Sequence, residues 1–327
     1  MKSRDEPILA HVLEARRRIA PYLKPTPLHS YPGLNQLVGA EVWVKHENYQ
    51  PVGAFKVRGG VNLISRLSDA ERARGVICAS TGNHGQSVAY AARLFGVRAA
   101  VCVPEGANPV KVSSIRSLGA EAIVHGHDFD EAREHCEQLA AERGYRYVHS
   151  GNEPLLIAGV ATVTLETFEA RPDLEVLIAP VGGGSLAAGA CIVAWALGSH
   201  VEVIGVQSES APAGYRSWTA RSLLEDRNET VAEGLATGGA FELPQHILWD
   251  GLGDFLLVSD QELREATVLM IEQTRSLVEL AGAAPLAALL RYRSRFAARR
   301  AGVLLTGGNI SPAQLRDLLG LPLARQA

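Results

Sequence analysis

The chain has 327 residues, of which 47% are hydrophobic and 20% charged, and its formal net charge is −3. That length is long for one hydrophobic core and comfortable for two domains. Acidic and basic residues alternate without a long block of one sign, which excludes a nucleic-acid surface from the expectations, and no stretch has the apolar length of a membrane span.

The opening segment, MKSRDEPILAHVLEARRRIAPYL, is charged and patterned as an amphipathic helix, unlike a secretory signal with an apolar core. Lys56 follows in Gly53-Ala54-Phe55-Lys56-Val57-Arg58-Gly59-Gly60. Short apolar runs then alternate with helical patterns. Strands are predicted over 75–80, 99–104, 121–126, 145–150, 174–182 and 201–208, and helices over 81–96 (after a turn), 108–119, 130–143 and 185–198. Gly96, Gly119, Gly144 and Gly198 stand where helices end, as left-handed caps do. This alternation predicts an α/β protein with open parallel sheets and helices on both faces. No repeat, low-complexity tract or linker marks a domain boundary. The four cysteines, Cys78, Cys102, Cys136 and Cys191, form no CxxC pair, and Cys78, Cys102 and Cys191 lie in apolar runs. They are expected to be reduced and mostly buried, in a cytoplasmic protein.

Three needs converge on one cofactor. A lysine amine such as that of Lys56 can form an imine with an aldehyde. A flat ring needs an apolar face, which Phe55 offers. A phosphate needs unobstructed backbone N–H groups at a helix start, which Gly182-Gly183-Gly184-Ser185-Leu186 offers after an apolar strand. Together they describe a pyridoxal 5′-phosphate (PLP) site. A dinucleotide loop is the rival reading, but the GxGxxG fingerprint and its acidic partner are both missing. Ser80-Thr81-Gly82-Asn83-His84 occupies a second strand-to-helix turn, a place suited to a carboxylate. His125-Gly126-His127-Asp128 is a polar loop after a strand and is not expected to hold a metal.

With Lys56, the glycine turn and Thr306-Gly307-Gly308-Asn309 in this order, the chain resembles the fold-type II PLP enzymes, specifically the serine/threonine dehydratase and serine racemase family in its short form without a regulatory domain. The resemblance runs from ARRRIAPYLKPTPL to LLTGGNIS. It implies two open parallel-sheet α/β domains with the cofactor between them. The large PLP-binding domain would comprise 1–50 and 151–327, and the small domain 51–150. It also implies a homodimer acting on a small amino acid.

By the same resemblance Lys56 is the Schiff-base lysine, and its freed amine takes the substrate Cα proton. Phe55 covers one face of the ring and Gly234 the other. Asn83 bonds the cofactor's 3′-oxygen. Ser80, Thr81, Gly82, Asn83 and His84 hold the substrate carboxylate. Gly182, Gly183, Gly184, Ser185 and Leu186 hold the phosphate, and Thr306 faces the pyridine nitrogen. A neutral hydroxyl there limits the ring as an electron sink and favours β-elimination.

Four positions depart from the family pattern. Ala54 replaces a serine, and Ser185 replaces a fourth glycine. Gln207 and Ala213 stand where many members carry acidic metal ligands, with Glu209 out of register, so no divalent metal is expected. The implied reaction converts a β-hydroxy-α-amino acid (threonine, serine or an aryl-serine such as phenylserine) to a 2-oxo acid and ammonia. The aryl option rests on the glycine-rich ATGGAFELPQHI segment after Gly234, which suggests a roomier pocket. Two alternatives stand beside it. One is a racemase, for which Thr81 would supply the acid on the opposite face of the carbanion, although its branched side chain is stiff. The other is a non-catalytic PLP-binding protein.

Overall fold

The structure, a computed structural model, describes residues 6–80, 82–127 and 129–320. Ten strands among the described residues form two sheets: β1 (Leu28–Ser30), β2 (Glu41–His46), β3 (Val76–Ala79), β4 (Ala99–Val103), β5 (Glu121–Val124), β6 (Arg146–Tyr147), β7 (Val176–Pro180), β8 (Glu202–Ser208), β9 (Asp254–Val258) and β10 (Arg300–Leu305). The first sheet has six strands in the order β1-β2-β10-β7-β8-β9, and the second has four in the order β5-β4-β3-β6. Every pairing is parallel except β1 with β2.

The apolar runs become strands because both faces of a parallel sheet are covered by helices. All residues of β3 and β7 are buried accordingly. Gly96, Gly119, Gly144 and Gly198 take φ values of 66°, 89°, 70° and 58°, the left-handed conformation expected of helix ends. Two expectations need correction. The antiparallel edge strand β1 breaks the all-parallel rule. The strand predicted over 145–150 shrinks to Arg146–Tyr147, because His149 Nδ1 accepts the Gly151 and Asn152 N–H groups at 3.0 and 2.9 Å and turns the chain.

The Lys56–Ile64 helix packs between the Asn83–Leu94 and Pro154–Ala170 helices. Glycine makes this possible. A Cβ on Gly60 would stand 2.3 Å from Ser87 Oγ, and one on Gly159 would stand 2.6 Å from the Arg58 carbonyl oxygen. The glycines after Lys56 therefore serve helix packing.

The same helix is tied down by buried charges. Arg58 is 1% exposed and its five N–H bonds all find acceptors. Two reach Glu47 at 2.7 and 2.8 Å, two reach Glu166 at 2.6 and 2.9 Å, and one reaches Thr162 Oγ1 at 3.2 Å. Lys45 adds a 2.6 Å bond to Glu166.

The four cysteines are buried free thiols. Among the described residues, no helix is long and apolar enough to cross a membrane.

Candidate active site

Parallel sheets gather ligands at the carboxyl ends of their strands. Here Ser80 follows β3, Gly182 follows β7 closely and Thr306 follows β10, so the chain folds three of the segments singled out above to one place. They meet in a cleft of about 270 Å³. Phe55 and Lys56 line it from one segment, and Ser80, Gly82, Asn83 and His84 from a second. Gly182, Gly183, Gly184, Ser185 and Leu186 line it from a third, joined by Gly234 and Thr306. Thr81 lies outside the described residues. A separate hollow of about 330 Å³ near Ile8 and Trp195 presents mainly apolar walls and no activated nucleophile, since burial pushes its Cys191 thiol up.

Lys56 opens its helix, placed there by local pairing: the Phe55 N–H donates to the Thr306 carbonyl at 2.9 Å, and Ala54 bridges Gly307. Its amine donates to the Ser150 carbonyl at 2.9 Å and to Ser185 Oγ at 3.3 Å. Neither partner is anionic. Burial therefore dominates and lowers its pKa to about 8. An amine so placed loses its proton far more readily than a surface lysine, which nucleophilic attack on an aldehyde requires.

The glycine turn is a cradle that side chains would fill. Gly184 has φ 80° and caps the Ser185–Ala196 helix, leaving the first N–H groups of that helix free. A Cβ on Gly182 would lie 2.2 Å from the Gly234 carbonyl oxygen, and one on Gly183 would lie 2.3 Å from the Phe241 ring. The two collisions differ in kind. The Phe241 ring can shift, whereas the Gly234 backbone cannot move without carrying its loop. Gly182→Ala is expected to weaken PLP binding by roughly 10- to 100-fold, the equivalent of an overpacking cost of about 1–3 kcal/mol. Gly183→Ala should weaken it less. Titration of the apoprotein with PLP, followed by absorbance, checks the order. Gly234 itself needs no cofactor to explain it, because a Cβ there would stand 2.6 Å from Ala281 Cβ.

Asn83 and His84 begin the Asn83–Leu94 helix. The Asn83 amide is fixed at both ends: its Nδ2 donates to Glu279 at 2.6 Å and its Oδ1 accepts from Asn309 Nδ2 at 2.7 Å. His84 Nε2 stands 3.0 Å from the Val148 carbonyl, which can only accept, so Nε2 carries the proton. Burial, with Lys56 nearby, pushes the imidazole pKa down to about 3. His84 is thus neutral, with a bare, buried Nδ1 that has no protein partner. Its ring cannot donate to a carboxylate. Only its main-chain N–H can serve the substrate-holding role assigned to it.

Several lining residues carried no sequence signal. Lys111, Ser150, Glu233, Phe241 and Glu279 all face the cleft. Lys111, Ser150 and Glu279 are lone residues in ordinary segments, and Glu233 and Phe241, although beside Gly234 and in the glycine-rich segment after it, had no chemical signature of their own. Asn309 stood in the TGGN turn, yet its bond to Asn83 spans 226 positions and had no local mark. In the ATGGAFELPQHI segment, Gly239 pairs with Glu225 and the Gly238 carbonyl accepts the Asp226 N–H at 2.8 Å, while Ala236, Thr237 and Phe241 line the cleft.

At the positions weighed for a metal, the side chains have protein neighbours. Gln207 Oε1 accepts the Tyr215 N–H at 3.0 Å, His125 stacks on His135 at 3.8 Å, and His127 faces Glu105 at 3.4 Å.

The residues present fit PLP. The cleft joins a depressed-pKa lysine, a glycine cradle at a helix start and two buried polar atoms without protein partners, His84 Nδ1 and Thr237 Oγ1. The fold and site define an α/β enzyme whose cleft suits an aldehyde cofactor. A family model described as pyridoxal-phosphate dependent enzyme matches residues 19–307, and the chain belongs to that family. It is 36% identical to an L-threonine ammonia-lyase of Thermotoga maritima, over 97% of this chain and 79% of that protein. It is 33% identical to an L-threo-3-hydroxyaspartate ammonia-lyase of Saccharomyces cerevisiae, over 96% of each. The solved structure of maize serine racemase superposes with a TM-score of 0.90 at 28% identity, covering 96% of this chain and 97% of that one.

Proposed function

We propose that this protein is a PLP-dependent dehydratase that converts a β-hydroxy-α-amino acid to a 2-oxo acid and ammonia. The observation that carries it is the convergence of the Lys56 amine, the glycine cradle and the Asn83 helix start on one cleft. The relatives named as ammonia-lyases support the reaction class. When bound, PLP supplies an electron-withdrawing ring that acidifies the substrate Cα–H.

The chain's residues supply the rest. Gly182, Gly183, Gly184 and Ser185 hold the phosphate through free N–H groups and the helix dipole. When PLP is bound, Phe55 and Gly234 would flank the ring, Thr306 would serve its nitrogen and Asn83 its 3′-oxygen. The N–H groups of Gly82 and His84, with the Ser80 and Thr81 hydroxyls, take the substrate carboxylate. Lys56 accepts the Cα proton, as a neutral amine in an enclosed site can. Thr306 offers no charge to the ring, which favours loss of the β-hydroxyl over transamination. The site lies between a large domain (1–50 and 151–327) and a small one (51–150), in a cytoplasmic homodimer.

The test measures 2-oxo acid and ammonia from L-serine, L-threonine, L-threo-3-hydroxyaspartate and L-threo-phenylserine with the PLP-loaded protein. Release from at least one, with little conversion of L-serine to D-serine, is expected. Phenylserine as the best substrate would identify an aryl pocket, for which the Phe241 ring supplies one wall. No release from any of the four would overturn the reading.

A further inference from the structure

Lys111 has no role in the reaction as derived so far, yet its position is unusual for a lysine. It sits in the first turns of the Pro109–Ser117 helix and is 6% exposed, so its ammonium is held at the cleft and away from bulk water. Its partner is Glu233 Oε2, on the loop that also carries Gly234. The two side chains differ in freedom: Lys111 is 7% exposed and Glu233 is 34% exposed. Glu233 also has a second anchorage outside this pair, because its Oε1 accepts from Gln314 Nε2 at 2.8 Å.

The pair stands beside the turn expected to take the substrate carboxylate. A Cβ built on Gly82 would lie 3.4 Å from Lys111 Nζ. Gly82 caps the Asn83–Leu94 helix and lines the cleft together with Asn83. The buried His84 lines the same place. Glu279 is already buried near Lys111, and burial raises its pKa. A substrate carboxylate arriving while Glu233 stayed in place would crowd a third carboxylate around one ammonium, which like-charge repulsion opposes. Exchange of one carboxylate for another keeps the charge count constant. Glu233 has an exit toward Gln314 and water, while the buried Lys111 stem has none.

We propose that Lys111 is the cation of the substrate α-carboxylate subsite, and that Glu233 is its built-in placeholder, displaced when substrate binds. The inference rests on the amino-acid substrate of the proposed function but not on the reaction. Lys111 and Glu233 should therefore act with opposite signs on carboxylate binding. A pair that merely clasped the two sides of the cleft would give the same sign for both.

The experiment titrates PLP-loaded protein with propionate, a carboxylate that has neither amine nor β-hydroxyl and cannot react, by calorimetry. Wild type, Lys111→Met and Glu233→Gln are compared. The expected result is weakening of about tenfold or more for Lys111→Met and tightening of several-fold for Glu233→Gln, as removal or release of one close ion pair implies. The amino-acid KM should shift in the same directions with kcat changing less. Weakening in both variants, or no change in Glu233→Gln, would overturn the proposal. Glu233→Gln, on a partly exposed loop, keeps the test decisive if Lys111→Met does not fold. Loss of all 2-oxo acid release with the propionate signs intact would sink the dehydratase reading and leave the carboxylate subsite standing.

Discussion

Lys56→Ala is expected to lower kcat by more than about ten-thousandfold, beyond the 10²- to 10⁴-fold span of a lost general base alone, because the same substitution removes the covalent anchor of the cofactor. The mass of the wild-type protein after borohydride reduction should include one PLP, and that of the variant should not. The fold should survive, since Lys56 Nζ donates to the Ser150 carbonyl and Ser185 Oγ and lies over the Phe55 ring, none of them an ion pair. A pH dependence comes with it. The amine of the cofactor-free protein has its pKa lowered to about 8 by burial. Only the neutral amine attacks the aldehyde, so the rate of PLP capture should rise with pH up to about 8 and flatten above it. A surface lysine would keep accelerating toward its ordinary value near 10.4. Stopped-flow absorbance on apoprotein measures the profile. Appreciable turnover by Lys56→Ala, or capture that still accelerates well above pH 9, would contradict the assignment of Lys56.

Arg58→Met should be the most destabilising single change near the site, by about 3–5 kcal/mol, as expected when one member of a buried ion cluster is removed. With Arg58 present the cluster balances, two cations (Arg58, Lys45) against two carboxylates (Glu47, Glu166). Burial alone would pull the guanidinium pKa down, and Glu47 and Glu166 more than reverse that. Without Arg58, Glu47 at 0% exposure keeps only the Thr26 hydroxyl at 2.5 Å. Arg58→Lys should recover little, because an ammonium cannot form the two-pronged bonds that the planar guanidinium makes to both carboxylates. Urea denaturation of the apoproteins measures the loss. The functional effect should follow the structural one: Arg58 lies two residues from Lys56 on the same helix, so the variant should also bind PLP more weakly. A loss under 1 kcal/mol would show that the cluster relaxes with water.

What was legible in the sequence was what lies in contiguous backbone. Phe55, Lys56, Asn83, Thr306 and the Gly182–Gly184 turn are recognisable because a helix start or a glycine turn performs its chemistry with neighbouring N–H groups, so the signal is local. The strand–helix alternation that orders the two sheets is local in the same way. What escaped were partners distant along the chain. The Asn83–Glu279 bond spans 196 positions and the Lys111–Glu233 bond 122. A lone glutamate or lysine in a helix is ordinarily a solvated side chain, and nothing in its neighbours shows that it is buried.

The amino-acid sequence by itself determined the family and the cofactor and singled out Lys56, because each depends on short segments whose spacing the chain preserves. The tertiary structure decided the states of those groups: the depressed pKa of Lys56, the neutral ring of His84, the clamped Asn83 amide and the reason Gly234 is a glycine. The physical reason is that burial, charge neighbours and steric collision are properties of three-dimensional surroundings. They arise only once β3, β7 and β10 bring their carboxyl ends to one cleft.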